Sequence, residues 1–522
     1  MSPLRWLDRP PADRGLRVAG PAGTWDRLSY ADLAVLAEQV AAGIIARGVR
    51  AGSVVTIVER PGVDFAAALY GVMRAGCVPS PTAPPMAFQD PRQYAQRLTA
   101  VIGAAQPDLL VAAAGLVAFL ADVADGRPVE TVDGLRAAAG TRSRRAPADV
   151  ALVQFTSGSS GPAAPVRVSQ EALASNIAAI RDWLAMTPAD PTATWLPPHH
   201  DMGLVGCLLT PVAVGADLWI MRPEQFLHSP LRYLRRFAEG ARLTAMPGFG
   251  LSHVLAKVRP GDLAGLDFSG WRAAIVGAER LSLAAFEQFH ELLAPHGFRR
   301  ETLLPAYGLA EATLAVTGLP LDTGYGVFTA APRSLTPGAV ACPQPGGVDL
   351  IGCGMPLGGA IVGVRDGGGR ELPPGTVGEI FVEGPSVSAG RPLATGDAGF
   401  LHGGQLFVLG RLGDGMKIRG RTLFAEDLES ALGAVGVPPM RVAALLGEAD
   451  GVPTVVALFE QARPEWLELA RRTLRRQADG ATVRLLDAPR GAIARTSSGK
   501  PRRRHLWEAF LAGTLGQPID EG

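Results

Sequence analysis

Val150-Ala-Leu-Val-Gln-Phe-Thr156-Ser-Gly-Ser-Ser-Gly161 decides how the rest of the chain is read. A continuous apolar run of strand length passes straight into a loop of hydroxyls and glycines. Glycines let backbone N–H groups approach a phosphate closely, and hydroxyls add donors at low steric cost. An ordinary Ser/Gly turn has the same composition. No Gly-Lys-Ser/Thr follows, so the stretch is not a Walker loop.

The surrounding sequence alternates helices with short apolar strands. Ser29 opens a helix with Asp32 placed for a capping box, and Leu33, Leu36, Val40 and Ile44 follow at helical spacing. Val54 to Val58 reads as a strand and Phe65 to Ala75 as a helix. The alternation continues past residue 250, through Ala273–Val276 and Leu303–Leu304. The pattern predicts an α/β protein of layered sheets with short connections. From about 320 to 350 the sequence is Gly/Pro-rich and aperiodic, an exposed loop or short β-insertion. Strand-like pieces at Gly378–Val382 and Gln405–Val408 add a β-barrel-like part.

Gly410-Arg-Leu-Gly-Asp-Gly-Met-Lys-Ile-Arg-Gly420 then breaks the pattern with four glycines. A smaller α+β unit follows, with helices near Glu426–Leu432 and Pro464–Arg476. Its strands fall near Val442–Leu446, Thr454–Phe459 and Val483–Leu486. The boundary is expected near 411, giving a region 1–411 and a C-terminal unit 412–522.

A chain of 522 residues can bury a large core without disulfides or a structural metal. A formal charge of +1 argues against a nucleic-acid binder, and 47% hydrophobic with 19% charged residues argues against disorder. The four cysteines lie far apart with no Cys-x-x-Cys pair, so neither a zinc pattern nor a disulfide framework is present. The start lacks a signal-peptide h-region. The longest apolar stretch, Leu204 to Met221, is broken by Pro211 and Asp217 and reads as a buried helix followed by a strand, not a membrane span. A soluble, cytoplasmic protein is expected.

Four further stretches carry chemistry. Trp195-Leu-Pro-Pro-His199-His200-Asp201 lies between a strand end and a helix, and no third metal ligand stands at a known spacing. In Ala306-Tyr307-Gly308-Leu309-Ala310-Glu311, the ring beside Gly308 can stack on a base. Glu311 suits a hard cation held mainly through phosphates, although a solvated glutamate at a helix start reads the same way. Asp397, in Thr395-Gly-Asp-Ala-Gly, is either a turn former or an acceptor for two adjacent hydroxyls, and Arg411 follows. In Arg495-Thr-Ser-Ser-Gly499-Lys500-Pro-Arg-Arg-Arg504, a basic flexible tail is the ordinary reading. Lys500, however, is one of three lysines in the chain, with Lys257 and Lys417.

In this order and spacing the set resembles the acyl-adenylate-forming superfamily over essentially the whole chain. WLPPHHDMGLVG, YGLAEATLAVT and KIRGRTLFAEDLE are most similar to its fatty acyl-AMP ligase branch. The resemblance implies that Thr156, Ser157, Gly158, Ser159, Ser160 and Gly161 embrace the ATP β- and γ-phosphates. Gly277, Ala278 and Glu279, with Ala306, Tyr307 and Gly308, would frame adenine. Glu311 would hold Mg²⁺, and Asp397 the ribose hydroxyls with Arg411 nearby. His200 and Phe249 would line the acyl site. Lys500 would bridge the substrate carboxylate and the α-phosphate, where a cation stabilises developing charge. The implied reaction turns a fatty or other carboxylic acid and ATP into acyl-AMP and pyrophosphate. The acyl group would then pass to the phosphopantetheine thiol of a holo acyl carrier protein.

Between these steps the small domain of such proteins rotates. Gly413 would be the hinge, where relatives carry Asp or Lys, and Lys417 would belong to the loop of the second step. The insertion near 325–350 and the bulk of Arg421 after Gly420 favour a carrier protein over CoA. Two departures stand out: Pro162-Ala-Ala-Pro165 lacks the usual phosphate-loop lysine, and Arg280 replaces a proline after Gly-Ala-Glu. An acyl- or aryl-CoA synthetase and a non-catalytic nucleotide-binding homologue are the alternatives.

Overall fold

The structure, a computed structural model, describes residues 2–85, 91–155, 164–388, 392–419, 421–478, 480–495 and 500–519, the side chains of Ala22 and Arg421 excepted. The predicted α/β layering is present. The largest sheet has nine strands. Six of them run parallel in the order Leu303–Gly308, Ala273–Gly277, Leu243–Pro247, Thr192–Thr194, Leu218–Ile220 and Gly15–Ala19. Trp25–Ser29 closes one edge antiparallel, and Ala315–Gly318 and Met355–Pro356 close the other. A second sheet of four parallel strands is centred on Val54–Val58 and Leu109–Ala112. Its two central strands are short and fully buried, as parallel strands covered on both faces must be.

Parallel strands leave their C-terminal ends on one side of a sheet, which is where open α/β sheets place ligand crevices. Four predicted site segments leave from those ends: Trp195–Asp201 after Thr192–Thr194, Gly248–Phe249 after Leu243–Pro247, Ala278–Glu279 after Ala273–Gly277, and Leu309–Glu311 after Leu303–Gly308.

Local signals behave as read. Ser29 caps the helix Tyr30–Ala46: its hydroxyl accepts the Asp32 N–H at 3.0 Å and donates to the Asp32 carboxylate at 2.6 Å. The stretch Leu204–Met221 is a buried helical segment followed by the strand Leu218–Ile220. The turn leading into it and its first residues, Met202–Leu209, wind as a π-helix, with the Thr210 hydroxyl donating to the Val205 carbonyl at 2.7 Å. Among the described residues no helix is long and apolar enough to cross a membrane.

The strands at Gly378–Glu383 and Gln405–Arg411 join Ile361–Arg365 and Leu393–His402 in an antiparallel four-stranded sheet, so that where a barrel-like part was expected the described residues form an open sheet. The aperiodic 325–350 segment contains a hairpin of Val327–Ala330 and Val348–Ile351. Its Phe328, Leu335 and Leu350 share one apolar cluster with Phe400, Phe407 and Phe424.

Beyond 418 the chain forms separate cores. Val442–Ala449, Val452–Glu460, Thr482–Ala488 and Gln517–Pro518 make a sheet whose side chains alternate between two faces. Val442, Ala444, Val455 and Ala457 pack on the helices Ala425–Ala434 and Pro464–Gln477. Ala443, Leu445, Val456 and Leu458 pack on the opposite side with Leu506 of the helix Arg503–Leu511. The ordinary reading of the terminal arginines as a flexible basic tail therefore fails. Arg503 is buried beneath three carboxylates, and it opens a helix that Leu506 fixes to the sheet.

Candidate active site

Backbone approaches too close for a side chain shape the centre of the site. A Cβ on Gly277 would stand 2.6 Å from the Ala306 carbonyl oxygen, and one on Gly308 would stand 2.0 Å from that of Leu314. Both positions require glycine, because neighbouring backbone packs directly against them. Ala278 continues the turn with a positive φ of 69°.

Tyr307 and Asp397 meet beside these strand ends. The phenol donates to Asp397 Oδ2 at 2.7 Å, and Arg411 Nε lies 2.9 Å from Asp397 Oδ1. Burial raises the Asp397 carboxyl above its ordinary range, while Arg411, the Tyr307 hydroxyl and Lys500 pull it down. Each carboxylate oxygen keeps lone-pair capacity for a further donor.

Glu279 is reached by solvent yet ringed by protein, as a cleft wall is. The crowding raises its carboxyl, against the Phe249 N–H that it accepts at 2.5 Å and the charges of Lys500 and Arg495. Its carboxylate thus holds the first turn of the helix Gly248–Lys257, next to half-buried Phe249.

Glu311 lies in the turn Ala310–Ala312, and the residue after that turn is strained. Thr313 has φ 70° and ψ −56°, and the Leu314 N–H reaches back to the Ala312 carbonyl at 2.8 Å. This is a γ-turn of the rare positive-φ kind. Two bonds hold it: the Thr313 hydroxyl donates to the Ser386 carbonyl at 2.8 Å, and Gln154 Nε2 donates to the Thr313 carbonyl at 3.2 Å. Gln154 stands two residues before the predicted phosphate loop, so one bond ties that strand to the Glu311 turn. The loop itself, Thr156 to Gly161, lies outside the described residues, as do Gly420 and Gly499.

Asp201 caps the π-helix, accepting the Met202 N–H at 2.8 Å. Surrounding protein raises its carboxyl, the Met202 N–H and the Lys500 charge lower it, and the Glu311 charge raises it. The rings of His199 and His200 are 4.9 Å apart. Burial, then the His200 and Arg97 charges, depresses His199 far below the ordinary imidazole value, which leaves it neutral.

Lys500 is half-buried and reaches this centre from the C-terminal unit, its charge acting on Asp201, Glu279 and Asp397 alike. Pairing of Arg495 with Pro501 and the Arg502 N–H on the Ala494 carbonyl at 2.8 Å close its loop. Three residues on, Arg503 bonds Asp414 at 3.1 Å, Glu426 at 2.9 Å and Glu429 at 2.8 Å. Burial alone would lower its pKa; the three carboxylates more than offset this and hold it above its ordinary value. Arg280 forms an ion pair with Asp427 and donates to the Leu409 carbonyl at 3.4 Å. Sequence reading passed over Arg503, Asp414 and Asp427. The available signal was Glu426 and Glu429, three apart on one helix face, matched against a buried basic partner.

Lys417 is exposed on the strand Gly415–Ile418, and no contact among the described residues joins it to this group. Gly413 is exposed in the turn Leu412–Asp414, beside the contact of Arg503 with Asp414. For a hard cation, the half-buried Glu311 carboxylate near Asp201 offers the oxygen donors such an ion prefers.

A model of the AMP-binding enzyme family matches residues 5–390. The chain is 30% identical to a Caulobacter vibrioides protein provisionally named an acyl-CoA synthetase, over 94% of this chain and 91% of that one. It is also 30% identical to the medium-chain-fatty-acid–[acyl-carrier-protein] ligase JamA of Moorena producens, over 87% of this chain and 85% of that one. Among solved structures, one from work on the fatty acyl-adenylate ligases of E. coli and L. pneumophila matches with a TM-score of 0.89 at 27% identity, covering 98% of each chain.

Proposed function

The chain belongs to the AMP-binding enzyme family of ATP-dependent, adenylate-forming ligases, and from that premise we propose that it makes a fatty acyl-AMP and hands the acyl group to an acyl carrier protein. One observation carries the first half. The half-buried ammonium of Lys500 acts on Asp201, Glu279 and Asp397, three carboxyls that belong to separate segments of the site.

In this reading Asp397 and Tyr307 receive the ribose, and Gly277, Ala278 and Glu279 with Ala306, Tyr307 and Gly308 frame adenine. Phe249 and His200 border the acyl chain, and the Thr156–Gly161 loop takes the outer phosphates. A carboxylate oxygen of the acid attacks the α-phosphorus in line as the bond to pyrophosphate breaks. Lys500 draws the two anions together and stabilises the charge that builds on the phosphoryl oxygens. Glu311, with the nucleotide phosphates, would hold Mg²⁺, which when bound neutralises phosphate charge. No covalent enzyme nucleophile is needed.

Two findings support a carrier protein as acceptor. JamA is named as an acyl-carrier-protein ligase. The 325–350 insertion also grips the C-terminal unit: the Thr422 N–H donates to Thr336 Oγ1 at 3.1 Å, and Phe424 sits in the insertion's apolar cluster. Such a restraint fits the acyl-AMP ligase branch that the sequence resembles. The name of the Caulobacter relative favours CoA as the competing acceptor.

Purified protein given ATP, Mg²⁺ and a panel of fatty acids should release pyrophosphate and accumulate acyl-AMP. Adding holo-carrier protein should drain that acyl-AMP, and adding CoA should not. Conversion of free CoA to acyl-CoA as fast as adenylate forms would overturn the assignment of the acceptor. Failure of every acid to release pyrophosphate, alongside measurable ATP binding, would overturn the enzymatic reading.

A further inference from the structure

We propose that Arg280 is a positioning residue for adenylation: through its ion pair with Asp427 it holds the C-terminal unit where Lys500 reaches the site. The inference rests on the reaction proposed above and extends it to a residue that touches no substrate.

Arg280 is anchored on the site side. It follows Glu279, whose carboxylate is bonded to the Phe249 N–H, and its guanidinium also reaches the Leu409 carbonyl. Asp427 is anchored on the other side. It lies in the first turn of the helix Ala425–Ala434, whose Glu426 and Glu429 grip Arg503. Lys500 is three residues from Arg503. A short path of folded chain and charge therefore runs from the wall of the site to the lysine, and along it the Arg280–Asp427 pair joins the two parts.

The pair is poorly hydrated: the Arg280 side chain is 12% exposed and that of Asp427 20%. Burial lowers Arg280 to about 10, and Glu426 opposes the fall. A desolvated charge pair is favourable only while both partners are in place, and either partner left alone in the interface is strongly disfavoured. Such a pair specifies one placement of the two surfaces more sharply than the apolar contact at Phe424, which tolerates sliding. At this position Arg280 departs from the proline that the resemblance leads one to expect, so a cation has been placed where the Asp427 carboxylate arrives.

The test uses the full-length protein and the variants Arg280→Ala, Asp427→Asn and the double variant. Acyl-AMP formation is followed in a single turnover, acyl transfer from supplied acyl-AMP to holo-carrier protein is followed separately, and backbone hydrogen exchange is read at Thr422. Each single variant should form acyl-AMP at least tenfold more slowly with ATP affinity within twofold of wild type. The double variant should be no slower than either single one, since both remove the same interaction. Transfer from supplied acyl-AMP should stay within threefold. Thr422, which bonds Thr336 only while the units are joined, should exchange faster, and the Val455–Leu458 amides inside the C-terminal sheet should not.

A wild-type adenylation rate in Arg280→Ala, additive losses in the double variant, or equal slowing of formation and transfer would overturn the proposal. If the wild type itself made no acyl-AMP, the reaction assigned above would fall. The positional claim would still be decided by Thr422: unchanged exchange in Arg280→Ala would refute it.

Discussion

Gly308 shows how far one residue can be understood from its surroundings. A methyl group there would collide with the Leu314 carbonyl at 2.0 Å, so Gly308→Ala must move the strand Leu303–Gly308 or the strained turn at Thr313. Overpacking of this kind costs roughly 1–3 kcal/mol, and both movements displace the backbone beside Tyr307. A lowered midpoint in thermal unfolding and weakened nucleotide binding are expected together, by calorimetry and by titration with ATP. The sequence marked Tyr307, Asp397 and Arg411 as separate ligand contacts. It could not show that they bond one another, because Tyr307 and Asp397 are 90 residues apart and meet only once two sheets have formed. The strain at Thr313 was equally hidden: a threonine in Glu-Ala-Thr-Leu carries no local sign of positive φ, which its partners Ser386 and Gln154 impose.

Strands and helices with buried, regular periodicity could be read directly. Val54–Val58 ends where expected, and the helix after Ser29 starts at its cap. The helix Arg503–Leu511 was masked by its charges, although Leu506 and Phe510 stand four apart as a helix requires. The π-helical winding at Met202–Leu209 has no signature in composition.

The strand Val54–Val58 also carries a testable consequence of burial at its end. Glu59 is 7% exposed, and burial, then the Asp64 charge, raises its carboxyl from 4.5 to about 7. In the fold it stays protonated up to about pH 7, while the unfolded chain releases the proton near 4.5. Its contribution to stability is therefore fully present below 4.5 and is lost as pH rises through 7. Glu59→Gln removes the titration. Between pH 5 and pH 8 the wild type should lose roughly 2–3 kcal/mol relative to this variant, read as the change in their difference in unfolding midpoint. Parallel pH profiles would show that Glu59 is not buried as described.

For the molecule as a whole, the composition shift near 411 led to the expectation of a second unit, and the residues from Ile418 on form apolar cores of their own. How the two parts face each other was not legible, because that is set by Arg280 with Asp427, Thr336 with Thr422, and Phe424 among insertion side chains. At the junction, Gly413 sits in the turn Leu412–Asp414, and an added Cβ would meet nothing within 4 Å. Gly413→Ala should therefore leave acyl-AMP formation within twofold of wild type in a pyrophosphate-release assay. A large loss there would mean that this placement of the two parts is not the one that forms the adenylate.

The claim on which all of this depends is that the C-terminal unit delivers Lys500 to the meeting point of carboxylate and α-phosphate. Pyrophosphate release from ATP and a fatty acid, compared between wild type and Lys500→Ala under saturating substrates, tests it most directly. The account predicts a fall of about 10²–10³-fold in rate with ATP affinity within twofold, and release by the variant at close to the wild-type rate would contradict it.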